Sequence, residues 1–168
     1  MTGVTAYLSL GGNLGDPASA MGAALRILDA DPGTRVGAVS SLYRTAPWGK
    51  TDQPDFLNAA AKVVTRLGPR GLLDLGLAAE RTLKRERREL WGPRVIDIDI
   101  LLFGEQRVDE PGLEVPHPRM LERGFVLVPL AEIAPALMLD GISARDRAGA
   151  CDRRGIVRLA GGRGWWRR

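Results

Sequence analysis

Two carboxylates stand in a segment that otherwise reads as core. The stretch 91–104 is WGPRVIDIDILLFG, in which Val95, Ile96, Ile98, Ile100, Leu101, Leu102 and Phe103 are apolar β-formers and Asp97 and Asp99 interrupt them. Aspartate is disfavoured in strands, and a buried carboxylate without a partner is costly. Side chains alternate across a strand, so Ile96, Ile98, Ile100 and Leu102 are expected on one buried face. Asp97 and Asp99 then share the other, roughly 7 Å apart at their Cβ atoms. A solvated strand face, or arginine partners, would account for an isolated Asp-x-Asp. Yet like charges this close raise each other's pKa unless a cation lies between them. Mg²⁺ takes one or two carboxylates and keeps waters or phosphates as its other ligands. Just upstream lie Arg85, Arg87, Arg88 and Arg94, and arginine pairs well with phosphate oxygens. Acid for a metal and arginine for phosphate outline a nucleoside-triphosphate site. The run KRERR at 84–88 also reads as an ordinary solvated charge cluster.

The elements that must position these groups follow from pattern. VTAYLSL at 4–10 reads as a strand, and GGNLGDP as the turn after it. That turn lacks the Gly-Lys-Ser/Thr ending of a P-loop and does not match the dinucleotide fingerprint. Asp16 is a good helix N-cap and Pro17 fits the first helical position. Met21, Ala24, Leu25 and Leu28 then recur at helical spacing. Residues 34–45 and 55–66 read as two more strands, with the loop 46–54 between them. Leu72, Leu73, Leu77 and Leu83 predict a helix over about 70–84. After the aspartate strand come a short extended excursion and, over 117–134, two short helical patterns broken near Gly124 and Pro129. The order β-α-β-β-α-β with C-terminal helices predicts an α+β layer with the two middle strands antiparallel. From 141 to 168 periodicity weakens, and a basic, loosely packed or disordered tail is expected after a domain spanning 1–140.

With 168 residues the chain has one domain's length. The net charge of +4 and a pI of about 9.8 favour anionic partners without choosing among them. Cys151 is the single cysteine, which suits a reducing compartment. No apolar run approaches the roughly 20 residues that span a bilayer, and MTGVTAYLSLGGN lacks the regions of a signal peptide. A cytoplasmic, monomeric protein without membrane contact is expected.

Three ordered blocks go further. SSLYRTAPWGKTDQPDFLNAA at 40–60, RRELWGPRVIDIDILLFG at 87–104 and VPHPRMLERGFVLVPLAEIAP at 115–135 together resemble the 6-hydroxymethyl-7,8-dihydropterin pyrophosphokinases of folate biosynthesis. The resemblance covers about residues 4–140. It implies a ferredoxin-like α+β sandwich and transfer of the β,γ-pyrophosphoryl unit of ATP to the pterin's hydroxymethyl oxygen, releasing AMP. It implies two Mg²⁺ ions held by Asp97 and Asp99, with ATP as co-substrate. The flat pterin would lie between Phe56 and Phe125, with Asn58 pairing its ring edge and the loop Thr45, Ala46 to Trp48 giving backbone contacts. Arg85, Arg87, Arg94, Ile100, His117 and Arg123 match nucleotide-binding or catalytic positions. Glu80 matches a residue near the nucleotide, and Trp91 belongs to a loop that closes over both substrates.

The chain departs from the family pattern in places. Its first loop has GGN where GSN is usual, Lys84 replaces a glycine, and the segment between Glu80 and Trp91 is about one residue short. Leu77 stands where relatives are often polar. Two other readings stay open on the residues alone. One is a nucleic-acid-binding module on a ferredoxin-like sheet, favoured by the pI but not by 5% aromatics. The other is a non-catalytic nucleotide-binding relative. The enzyme reading expects small-molecule substrates and no nucleic acid.

Overall fold

The structure, a computed structural model, describes residues 2–47, 52–87 and 95–168; at 85–87 only the helical backbone is described. The chain runs β1 (Val4–Gly12), α1 (Pro17–Ala30), β2 (Thr34–Val39), β3 (Tyr43–Thr45), β4 (Phe56–Thr65), α2 (Pro69–Arg87) and β5 (Asp97–Phe103). A small hairpin, β6 (Val108–Glu110) and β7 (Leu113–Val115), precedes a 3-10 turn at Met120–Glu122 and α3 (Gly124–Ile133). Then come β8 (Met138–Leu139), β9 (Ile142–Ser143), α4 (Ala144–Ala150), β10 (Ile156–Arg158) and a last 3-10 turn at Trp165–Arg167. No helix among the described residues is long and apolar enough to cross a membrane.

The main sheet has the order β10-β3-β4-β1-β5, with β2 also paired to β4, and every pairing is antiparallel. This is the expected β-α-β-β-α-β sandwich. The predicted strand 34–45 is two strands on the same partner. They part at Ser40, whose N–H donates to the Ala60 carbonyl while its Oγ accepts from the Ala60 N–H. The side-chain hydroxyl thus replaces a ladder bond and lets the chain step out of register.

One face of the sheet packs on α1 and α2. Ala6, Leu8, Leu10, Ile96, Ile100 and Phe103 meet Met21, Leu25, Leu28 and Leu72 there, all nearly or fully buried. Each large side chain removed from water contributes about 1.5–3 kcal/mol. Helix α1 begins as its sequence predicts, with Pro17 at its first position and the Asp16 carboxylate accepting from the Ser19 N–H at 3.2 Å and the Ser19 hydroxyl at 2.7 Å.

The second face is covered in part by α3 and α4, through Tyr43, Ala60, Leu101, Leu127 and Leu130. Helix α3 runs through Pro129 instead of breaking there. Proline in a helix removes one N–H donor and fixes a helical φ, and the apolar packing of Val126, Leu127 and Leu130 holds the turn together.

The residues after 140 are packed, contrary to the loose or disordered tail expected. Strand β10 pairs with β3, the Trp165 indole N–H donates to the Ser40 carbonyl at 2.8 Å, and Trp166 is buried against α1. Arg163 binds the Glu132 carboxylate at 2.8 Å and its carbonyl at 2.8 Å. The anchors are polar groups and two tryptophans on very short elements, so no hydrophobic period marks them in the sequence.

Candidate active site

The uncovered part of the second face is a cavity of about 550 Å³. Its floor holds a row of residues in cross-strand register: Asp97 opposite Gly11, and Gly11 opposite Asn58. A second row places Asp99 opposite Ser9. The aspartates therefore share a face, as strand alternation predicts, and both line the cavity. Asn58 and Thr45 are buried in its floor, and the Asn58 amide donates to Thr45 Oγ1 at 2.8 Å. The two glycines before Asn13 serve this floor as well as the turn. A Cβ at Gly11 would lie 2.9 Å from Asn58 Oδ1, and one at Gly12 would overlap the Val95 carbonyl.

The walls are aromatic and charged. Phe56 and Phe125 line the cavity, both half-buried. The Arg123 guanidinium stacks on Phe125, 5.7 Å from its ring centroid, which is a cation–π distance. Arg119, Glu122, Gln53, Asp152, Arg154 and Ile156 also line it. Arg154 clasps Asp152 in two bonds, 3.0 and 2.8 Å, and holds that carboxyl down at about 2.

A second cavity, about 310 Å³, opens on the outer side of β5. Leu73, Ile98, Ile100 and Leu113 give it apolar walls, and His117, Asp109, Glu110 and Glu114 give it polar ones. Asp99 lines both cavities. The His117 Nδ1 accepts from the Arg119 N–H at 3.1 Å, so in the neutral ring Nε2 carries the proton. Burial lowers this histidine's pKa, and Arg123 and Arg119 add to that against the pull of Asp99 and Glu114.

Glu80, expected near the nucleotide, reaches the backbone of β5. It lines neither cavity and is 8% exposed. Its Oε1 accepts from the Ile98 N–H at 2.7 Å. Among the described residues strand β5 is the sheet's edge, so this N–H has no strand partner among them and the α2 carboxylate supplies one. Glu80 thus pins the backbone between Asp97 and Asp99. Burial raises its pKa, opposed by the Ile98 bond and by Lys84, with the two aspartates adding to the rise.

A profile of the family described as 7,8-dihydro-6-hydroxymethylpterin-pyrophosphokinase matches residues 7–135. The chain belongs to this family. The 2-amino-4-hydroxy-6-hydroxymethyldihydropteridine pyrophosphokinase of Methylorubrum extorquens is 50% identical over 154 residues, 92% of this chain and 98% of that one. The same-named protein of Pseudomonas aeruginosa is 48% identical over 156 residues, 92% and 96% of the two chains. The fold agrees with the crystal structure of wild-type Plasmodium falciparum HPPK-DHPS, with a TM-score of 0.69 at 16% identity. That alignment covers 88% of this chain and 41% of the longer one.

Against this family background the sequence-predicted residues divide cleanly. The structure brings Thr45, Ala46, Phe56, Asn58, Asp97, Asp99, Arg123 and Phe125 to one cavity and Ile100 and His117 to the other. Trp48, Arg88, Trp91 and Arg94, and the side chains of Arg85 and Arg87, lie outside the described residues. Ser9, Gly11, Gln53, Arg119, Asp152, Arg154 and Ile156 were not foreseen. For Ser9 and Gly11 the signal existed: small and polar residues at alternate positions of an apolar strand. For Ile156 there was none.

Proposed function

We propose that this chain transfers the β,γ-pyrophosphoryl group of ATP to the hydroxymethyl oxygen of 6-hydroxymethyl-7,8-dihydropterin, giving AMP and the pterin diphosphate, with pterin in the larger cavity and nucleoside in the smaller. The observation that carries this reading is the position of Asp99, at the junction of both cavities. A triphosphate running from one to the other must pass the Asp97–Asp99 pair. Phe56 and Phe125 supply stacking surfaces for a flat heterocycle. The Asn58 carbonyl oxygen accepts from an amino-pyrimidine edge while its amide stays on Thr45 Oγ1, which fixes the side chain's orientation.

The donor set suits Mg²⁺. Two carboxylates on one rigid strand face leave the remaining positions to water and phosphate oxygens, the arrangement magnesium prefers. No group of three or more His, Cys, Asp or Glu among the described residues suggests a metal held by protein alone. When bound there, two such ions would neutralise phosphate charge and polarise the reacting oxygens. Asp97 and Asp99 would hold them, and Glu80 would keep the strand between the two carboxylates in place.

The chain's own groups do the rest. The hydroxymethyl oxygen attacks the β-phosphorus and its proton passes to solvent, while the bond from that phosphorus to the α-bridging oxygen breaks and that oxygen leaves with AMP. Arg123, Arg119 and His117 surround the phosphate path, and Ile98, Ile100 and Leu113 offer an apolar bed for a base. Catalysis then rests on positioning and charge neutralisation. A product assay tests the reading. Protein, ATP, Mg²⁺ and the pterin should yield AMP, dependent on pterin and metal, and Asp97→Ala should abolish it while the protein stays folded. ADP in place of AMP, or full turnover by the variant, would overturn it.

A further inference from the structure

The cavity's outer wall comes from residues 152–156, beyond the stretch 7–135 that the family profile matches. Three strands contribute one residue each to that end of the site. Phe56 lies opposite Thr45, and Thr45 opposite Ile156. All three face the cavity. On its other side Ile156 abuts the start of α3: a Cβ at Gly124 would lie 3.0 Å from Ile156 Cδ1 and 2.7 Å from the Asp152 carbonyl oxygen. No side chain but hydrogen fits there, so the segment sits directly on the backbone that carries Phe125. The Ala46 N–H donates to the Gly155 carbonyl at 3.4 Å, and the Arg154–Asp152 clasp closes the turn that delivers Ile156. Ile156 is thus wedged between Thr45–Ala46 and Gly124–Phe125.

We propose that Ile156 is a substrate-contacting residue that gives the pterin ring an apolar wall, and that the anchored C-terminal segment belongs to the catalytic unit. The inference rests on placing pterin in the larger cavity. Downstream anchors keep the wall in position: Arg163 on Glu132, and Trp166 buried on α1.

The test is calorimetric titration of full-length protein with 6-hydroxymethyl-7,8-dihydropterin, in Mg²⁺ and a non-hydrolysable ATP analogue. Ile156→Trp fills the wall side and should weaken pterin binding about tenfold or more. Ile156→Ala removes apolar contact and should weaken it roughly three- to tenfold. Affinity for the ATP analogue should stay within about twofold in both. Asn58→Ala serves as the reference for the cavity itself. If Asn58→Ala loses pterin while both Ile156 variants bind it normally, Ile156 is no wall. If all three bind normally, pterin lies elsewhere and the inference falls with its premise. Equal loss of pterin and ATP analogue would also overturn it, as general damage. Should Ile156→Trp fail to fold, Ile156→Ala decides alone.

Discussion

Gly11→Ala is the substitution whose effect can be worked most directly from the geometry. The added Cβ would stand 2.9 Å from Asn58 Oδ1, whereas ordinary contact begins near 3.4 Å. The backbone of Gly11 is fixed between β4 and β5 by its pairing with Asn58 and Asp97, so the side chain must move. Rotating Asn58 breaks its 2.8 Å bond to Thr45 Oγ1 in a buried floor. Leaving such groups unpaired costs about 1–3 kcal/mol. Misaligning the same amide would remove the bond proposed for it to the pterin edge, and each 1.4 kcal/mol is about tenfold in affinity. Pterin binding should therefore fall by about 10- to 100-fold with little change for ATP. The melting temperature should drop by roughly 2–4 °C per kcal/mol for a domain of this size. Calorimetric titration and a thermal melt measure the two. The decisive comparison is a double-mutant cycle. In an Asn58→Ala background the new methyl finds only the Leu57 carbonyl at 3.4 Å, so Gly11→Ala should there be nearly silent. If it costs as much with Asn58 absent as present, the clash is not with Asn58 and the reasoning is wrong.

Two other perturbations each act on one carboxylate. Glu80→Ala leaves the Ile98 N–H without its acceptor, and should cost about 1–3 kcal/mol and lower kcat. Glu80→Gln keeps a carbonyl oxygen for that N–H and should restore both, so a glutamine variant as poor as the alanine one would show that charge matters instead. At Glu132, burial raises the pKa, but bonds from Tyr43, Arg163 and Ser41 and the charge of Arg158 outweigh it and leave it lowered. A carboxyl depressed in the folded state stabilises fully above the ordinary glutamate range, and that stability is lost as pH falls through the folded pKa. The wild-type melting temperature should thus fall more steeply below about pH 5 than that of Glu132→Gln; parallel slopes would refute this.

What could be read in the sequence was whatever obeys a local period. Asp97 and Asp99 declare a shared face because strands alternate, and Phe56 with Asn58 does the same two strands away. Asp16 and Pro17 announce α1 by capping chemistry. Phe125, His117 and Arg123 were legible only through resemblance to a family, because nothing local separates a cavity phenylalanine from a core one. The C-terminal wall was not legible at all. Strand β10 is three residues long, and its partner Thr45 lies 111 positions before Ile156. Such a pairing is decided by where α3, α4 and Glu132 bring the chain, which no window of the sequence contains. Glu80 was expected near the nucleotide through resemblance alone, and its bond to the Ile98 N–H was not legible, since an open strand edge becomes visible only once the sheet order is known.

The strand that opened the question also carries a shift of phase that its composition hides. In strict alternation Asp97, Asp99, Leu101 and Phe103 would share one face. Instead Leu8 lies opposite Ile100 and Tyr7 opposite Leu102, so Leu101 is an extra residue, a β-bulge. The bulge keeps Leu101 on the aspartates' face, where it packs with Leu127 and Leu130, and it moves Leu102 there too, off the face shared by Ile98 and Ile100. Phe103 is thereby returned to the opposite face, buried against Ala6 beneath α1 and α2. The change falls where the second face itself changes character, from the cavity floor of Asp97, Asp99, Ser9 and Asn58 to the apolar ground under α3. One residue of slip lets a single edge strand present two carboxylates to a cavity at one end and still fill both cores at the other. Because Leu101, Leu102 and Phe103 are all apolar, hydrophobicity is blind to the slip, and only the register with β1 reveals it.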